Sequence, residues 1–244
     1  MDNVEYVGLS RQTVLRRQLD VIANDVANTD TAGFKVESLI VQTDAQKLPS
    51  SGDGPGVVNF VLDAGVARNF GQGALKPTGA PFDMAIEGEG FFKIQTPDGE
   101  RYTRDGRFAM DANGRLVSQS GQPLQGDGGD LTIDATKGPV KIAADGTISQ
   151  GNSTIGKVAV VNFASLSALA KDGDGLYRNV SNIQPTASTT AKVVQGMVEG
   201  SNVDPISQIT KMIEVSRAYE SITNMMTQTS DLSSQTINRL GKLN

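Results

Sequence analysis

Ser201-Asn202-Val203-Asp204-Pro205-Ile206-Ser207-Gln208-Ile209-Thr210-Lys211-Met212-Ile213-Glu214-Val215 is the stretch that decides the fold. Asp204 suits a helix N-cap, and Pro205 suits the first helical position, where its missing N–H costs nothing. Apolar residues then fall at Ile206, Ile209, Met212, Val215, Tyr219, Ile222 and Met226, in threes and fours. Beyond Thr227 the stripe thins to Thr229, Ser233, Thr236 and Leu240. The pattern predicts a helix from Asp204 to about Leu243, up to about 40 residues and about 60 Å long. That is far longer than a helix serving only its own small domain.

The opposite end carries a second amphipathic stretch, from about Asp2 to Val26. Leu15, Leu19, Ile22 and Val26 follow 4-3-4 spacing, and Val7, Val14 and Val21 recur every seven residues. Together they make a broad apolar stripe, with Arg11, Arg16, Arg17 and Asp20 mostly off it. Asn28-Thr29-Asp30-Thr31-Ala32-Gly33 then ends the helix with turn-formers and a glycine free to take positive φ. Two such helices packed only on each other have too little core to be strongly stable. The small polar residues late in the second stretch suit close approach among several helices. Bundling with neighbouring chains is therefore the expected use of both stripes, and an antiparallel pair within one chain is the alternative. Long helices confined to the two ends point to a structural subunit.

Between them, from about Val36 to Val198, the helical period disappears. Phe82-Asp83-Met84-Ala85-Ile86 and Phe91-Phe92-Lys93-Ile94 read as strands separated by Gly88-Glu89-Gly90. Asp98-Gly99, Asp105-Gly106 and Asn113-Gly114 supply hairpin signals. Val140-Lys141-Ile142 before Asp145-Gly146, and the run from Gly156 to Phe163, add further strands. Pro49-Ser50-Ser51-Gly52-Asp53-Gly54-Pro55-Gly56 reads as an exposed loop. The expected class is α+β, with long N- and C-terminal helices forming a coiled-coil-like layer and a mainly antiparallel β-rich central domain. The expected division is an N-terminal helix and turn over 1–35 and a connecting segment over 36–75. A β-rich body over 76–200 and a C-terminal helix over 201–244 complete it.

Composition excludes much chemistry. Cys and His are absent, which removes thiolate nucleophiles, zinc sites built on those residues and any Ser-His dyad. The net charge of −5 and the lack of a basic cluster argue against nucleic acid. No apolar run approaches the roughly 20 residues that span a bilayer, so no membrane insertion is expected. The acidic Met1-Asp2-Asn3-Val4-Glu5 start is unlike a secretory signal. Gly71-Gln72-Gly73 and Gly88-Glu89-Gly90 each lack the third glycine of a dinucleotide fingerprint. Asp172-Gly173-Asp174-Gly175 begins like a calcium loop, but Leu176 takes the third ligand position, so a turn is expected. Asp127 with Asp130, or Asp83 with Glu87, is outweighed as a glycosidase pair by the ordinary use of acids beside glycine in turns. No catalytic residue, cofactor or metal is expected.

Three segments carry a resemblance. Ala23-Asn24-Asp25-Val26-Ala27-Asn28 running to Thr31-Ala32-Gly33-Phe34-Lys35 is the first. Asp83 to Phe92 followed by Tyr102-Thr103-Arg104-Asp105-Gly106 is the second. Ser201-Asn202-Val203-Asp204 with Met212-Ile213 and Arg217-Ala218-Tyr219-Glu220 is the third. In this order they resemble the rod and hook family of bacterial flagellar axial proteins, and the Tyr6 to Gln12 opening and the compact length are most similar to its proximal-rod members. Asp25-Val26 departs from the family's Asn-Leu, and Pro205 stands where siblings carry other residues. The resemblance implies a subunit of the rod that crosses the periplasm, exported by the flagellar type III apparatus without a cleaved signal. It implies partners among other rod proteins, proximal and distal, and copies of itself. The expected assembly interface, drawn from the two apolar stripes and the turn after the first, comprises Val7, Val14, Leu15, Leu19, Ile22, Val26, Asn28, Gly33, Phe34, Met212, Val215, Tyr219, Ile222 and Met226. A distal-rod or hook-type role is the alternative, and a β-rich carbohydrate-active enzyme the rival from another class.

Overall fold

The computed structural model describes residues 2–46, 58–181 and 183–240. The expected loop at Pro49 to Gly56 and the helix end near Leu243 lie outside the described residues. The chain is α+β, with a helix at each end and a β-rich middle. It divides into two units, one of residues 1–27, 36–69 and 204–244 and the other of residues 28–35 and 70–203.

The first unit holds helix α1 (Asp2–Ala27), strands β1 (Glu37–Gln46) and β2 (Val58–Arg68), and helix α2 (Pro205–Leu240). The start of α2 follows the local chemistry, because Asp204 Oδ1 accepts from Ile206 N–H at 3.2 Å and caps the first turn. Strands β1 and β2 pair antiparallel, Leu39 opposite Val66 and Gln42 opposite Leu62. The register shifts between Ile40 and Val41, which face Gly65 and Asp63, so Ala64 is the extra residue of a bulge. Residues 36–75, read from sequence as a connector, thus contain a long ribbon. Leu39-Ile40-Val41 sends apolar side chains to both faces, so the strand lacks the alternation by which sequence reveals one.

The second unit is the β-rich body. Its largest sheet has six antiparallel strands in the order Leu169–Lys171, Leu176–Asn179, Gly99–Thr103, Phe91–Thr96, Val160–Asn162 and Thr186–Ala187. Period-2 alternation sends Phe91 and Phe92 to opposite faces. Phe92 joins Met84, Ile86, Ile94, Leu116, Leu124 and Ile148 in the main core. Phe91 joins an aromatic cluster with Tyr102, Phe163 and Tyr177, where rings meet edge to face. Asp98-Gly99, Asn113-Gly114 and Asp145-Gly146 lie where adjacent strands pair as hairpins. Asp105-Gly106 is different. Gly106 lies so close to the Met84 carbonyl oxygen that a Cβ would come within 1.6 Å, so this glycine serves packing and turns no hairpin. Asp172 to Gly175 is the turn between two strands, and the Asp172 carboxylate pairs with Arg101.

Candidate functional site

The two helical stripes meet inside one chain. Leu15, Ile22 and Val215 form a buried cluster, with Leu19, Val26, Met212, Ala218, Tyr219 and Ile222 packed against it. Gln12 Nε2 donates to Thr223 Oγ1 at 3.0 Å. Gly8 touches Met226 so closely that a Cβ would lie 3.0 Å from its Cγ. The helices therefore run antiparallel, with early α1 beside the middle of α2. For this portion the stripes form the alternative arrangement, an antiparallel pair within one chain. At 3-4 spacing on both helices, the two seams complement each other directly.

Val14 and Val21 belong elsewhere. Both are buried, but they lie outside the seam cluster, roughly 110° around α1 by helical geometry. On that side Arg17 pairs with Asp63 of β2 at 3.8 Å. Asp25, fully buried, accepts from the Glu37 backbone N–H of β1 at 3.0 Å. Residues 14, 17, 21 and 25 share one helix face, so α1 packs on α2 along one side and on the ribbon along another. What reads as one broad stripe is two seams.

The exposed remainder is informative. On α2, Ile206, Ile209 and Ile213 are 77%, 47% and 48% exposed. They line a stripe roughly 130° from the seam on α1. On α1, Tyr6 and Leu9 are exposed and border a groove with Glu5, Met226 and Ser230. Of the residues expected at an interface, Leu15, Ile22 and Val215 are buried by the helix pair and Val14 lies on the ribbon side. Val7, Leu19, Val26, Met212, Tyr219, Ile222 and Met226 are half-buried.

In the second unit, Asn28, Gly33 and Phe34 lead into a buried charge cluster. Asn28 accepts from the Thr31 N–H and, through its side chain, from the Thr31 hydroxyl. Gly33, at φ +68°, donates its N–H to the Glu199 carbonyl at 2.8 Å. Phe34 is buried, with the Lys171 ammonium 4.7 Å from its ring centre. Lys35 Nζ bonds the Glu199 carboxylate and donates to the Gly71 carbonyl at 2.8 Å. Arg104 Nη1 reaches Glu199 Oε2 at 3.1 Å, and its Nη2 donates to the Gly88 carbonyl at 2.7 Å. Gly73 N–H adds a further bond to the same carboxylate at 2.9 Å. Lys35 and Glu199 side chains are wholly buried, and Arg104 nearly so. Desolvation lowers the Lys35 and Arg104 pKa values against the raising effect of Glu199.

Both glycine-rich segments flanking this cluster therefore have a structural use. Gly71 and Gly73 bond Lys35 and Glu199, Gln72 bridges the Ile86 carbonyl and Gly88 N–H, and Gly88 holds Arg104. Sequence reading named Gly33 and Phe34 but missed Lys35, Arg104 and Glu199 as one cluster. The only signal was charged residues embedded in apolar strands, such as Glu199 after Met197-Val198. Among the described residues no group of three or more acidic side chains is arranged to hold a metal.

Comparison with known proteins agrees along the whole chain. Residues 6–35 match the flagella basal body rod protein family, residues 85–150 the flagellar hook protein FlgE/F/G D1 domain, and residues 194–240 the flagellar basal body rod FlgEFG protein C-terminal family. The chain is 53% identical to the flagellar basal-body rod protein FlgF of Caulobacter vibrioides, with 100% of both chains covered. It is 36% identical to FlgF of Mesorhizobium japonicum, with 99% of each chain covered. It is 33% identical to the flagellar basal-body rod protein FlgG of Buchnera aphidicola, with 97% of this chain and 98% of that one covered.

Proposed function

Because this chain belongs to the flagellar basal-body rod protein family, we propose that it polymerises through the helical unit into the torque-transmitting proximal rod. It is a structural protein of the rod and not an enzyme. The 53% identity to FlgF of Caulobacter vibrioides over the whole of both chains, against 33% to FlgG of Buchnera aphidicola, favours a proximal role over the distal-rod or hook-type alternative.

The observation that carries the assembly reading is the Ile206, Ile209 and Ile213 stripe, exposed on the side of α2 away from α1. A helix with apolar residues on two well-separated sides is suited to lie between two neighbours. One neighbour is α1. The other is a helix of an adjacent rod subunit, either a copy of this chain or a proximal or distal sibling, and together such helices form the coiled-coil-like layer. The half-buried Leu19, Val26, Met212, Tyr219, Ile222 and Met226 border this layer, and Tyr6 and Leu9 extend it on α1. Burying apolar area at about 25 cal/mol per Å² offsets the entropy of ordering each subunit. The subunit travels to the basal body through the flagellar export apparatus and crosses the periplasm as part of the rod.

The test replaces Ile209 and Ile213 together with Asp. The purified chain is expected to keep its helix content and melting temperature, since both side chains lie outside the buried helix-pair cluster, while isolated basal bodies lack the variant and the cells do not swim. Normal incorporation of the double variant would remove this face from the assembly.

A further inference from the structure

The chain passes between its two units at four places, 27/28, 35/36, 69/70 and 203/204. In the β-rich unit, the segments next to these passages are bonded to one another around Glu199. Gly33 N–H bonds the Glu199 carbonyl, Lys35 bonds the Glu199 side chain and the Gly71 carbonyl, and Gly73 N–H bonds the same side chain. Asn202 N–H reaches the Phe34 carbonyl at 3.3 Å, and its side-chain Nδ2 donates to the Gly71 carbonyl at 2.9 Å. Gly200 N–H bonds the Ala74 carbonyl at 2.8 Å. Arg104 ties the cluster to the interior through the Ile86 and Gly88 carbonyls.

A buried ion pair is a weak source of net stability, because desolvation offsets the attraction. Its distinctive property is direction. Each bond specifies an atom on a different segment, whereas an apolar cluster lets segments slide. We propose that Glu199, with Lys35 and Arg104, is a load anchor that holds the four chain exits of the β-rich unit to one another. Force arriving along any one segment is then shared among the others and the sheet, and does not peel a single strand. The load-bearing part rests on the rod reading above. The anchoring part rests on the geometry alone.

The test uses the full chain carrying Glu199→Gln. Amide hydrogen exchange should rise at least tenfold at Gly33, Gly73 and Asn202, and stay unchanged at Ile94 and Tyr102 in the six-stranded sheet. Cells whose own copy is replaced by the variant should place it in isolated basal bodies, swim in dilute medium and stall in viscous medium. Unchanged exchange at the three amides, or equal acceleration in the sheet, overturns the anchor. Normal swimming under viscous load with accelerated exchange overturns the load-bearing role. Should Glu199→Gln fail to fold, Lys35→Met with Glu199→Met removes both charges while Arg104 keeps its two carbonyl bonds. That double variant, folded and present in basal bodies, is expected to stall under load, and normal swimming would refute the proposal. Absence of the unmutated chain from basal bodies would instead refute the rod reading.

Discussion

Gly33 shows how one residue can be dictated twice. Its φ of +68° is a conformation that L side chains rarely adopt, and a Cβ there would lie 2.5 Å from the backbone of Arg104 and Asp105. Gly33→Ala is expected to destabilise the β-rich unit by about 2–4 kcal/mol, from left-handed strain plus a clash with backbone that cannot move aside. Denaturant titration followed by tyrosine fluorescence would measure it, and a loss below 1 kcal/mol would mean the turn relaxes. Tyr102 gives a prediction in pH. Burial, the Glu100 charge and a hydrogen bond to Glu100 push its pKa up to about 12 from 10.0. The folded state therefore keeps a proton that the unfolded chain has lost, so stability is intact below pH 10 and falls as pH rises toward 12. At about 1.36 kcal/mol per pKa unit the loss approaches about 3 kcal/mol at most. Alkaline melting curves should show this slope, and Tyr102→Phe should flatten it. An equal slope in both proteins would assign the loss to other groups.

Among the elements, α1 carries the most consequential contacts, because it packs on two sides. Ile222→Asp on the opposing α2 seam places a carboxylate against the cluster that contains Leu15. It is expected to cost the helical unit about 2–4 kcal/mol while leaving the β-rich unit intact. Hydrogen exchange would report faster amides in both helices and unchanged amides in Phe91–Thr96. Val14→Asp tests the other seam. It should accelerate exchange in β1 and β2 first, because Val14 shares its helix face with Arg17 and Asp25, which hold the ribbon. If both substitutions loosen the same amides equally, the two seams act as one. A two-stranded ribbon is marginal by itself, so its persistence here rests on α1.

For the whole chain, metal plays no part in the expected stability. Asp172 is paired with Arg101 in the turn from Asp172 to Gly175, and among the described residues no group of three or more acids is arranged to hold a metal. Chelator should leave the melting temperature unchanged, and a shift of several degrees restored by calcium would show a site there.

Caps, periodicity and turn dipeptides are local, so the sequence by itself determined the helix at each end, the start of α2 at Asp204-Pro205, the turn closing at Gly33 and three hairpins of the body. The matched segments likewise carried the family. Partnership is not local. Whether Leu15 and Val215 face each other or a neighbouring chain depends on how residues 200 positions apart are brought together, which no spacing rule contains. The ribbon was hidden because Leu39, Ile40 and Val41 are apolar on both faces. The Lys35, Arg104 and Glu199 cluster was hidden because three charges scattered along a chain read as surface until burial shows that one carboxylate pairs with both cations. Only the tertiary structure decides such pairings, since the free energy of burying a charge is set by what stands beside it and not by its own identity.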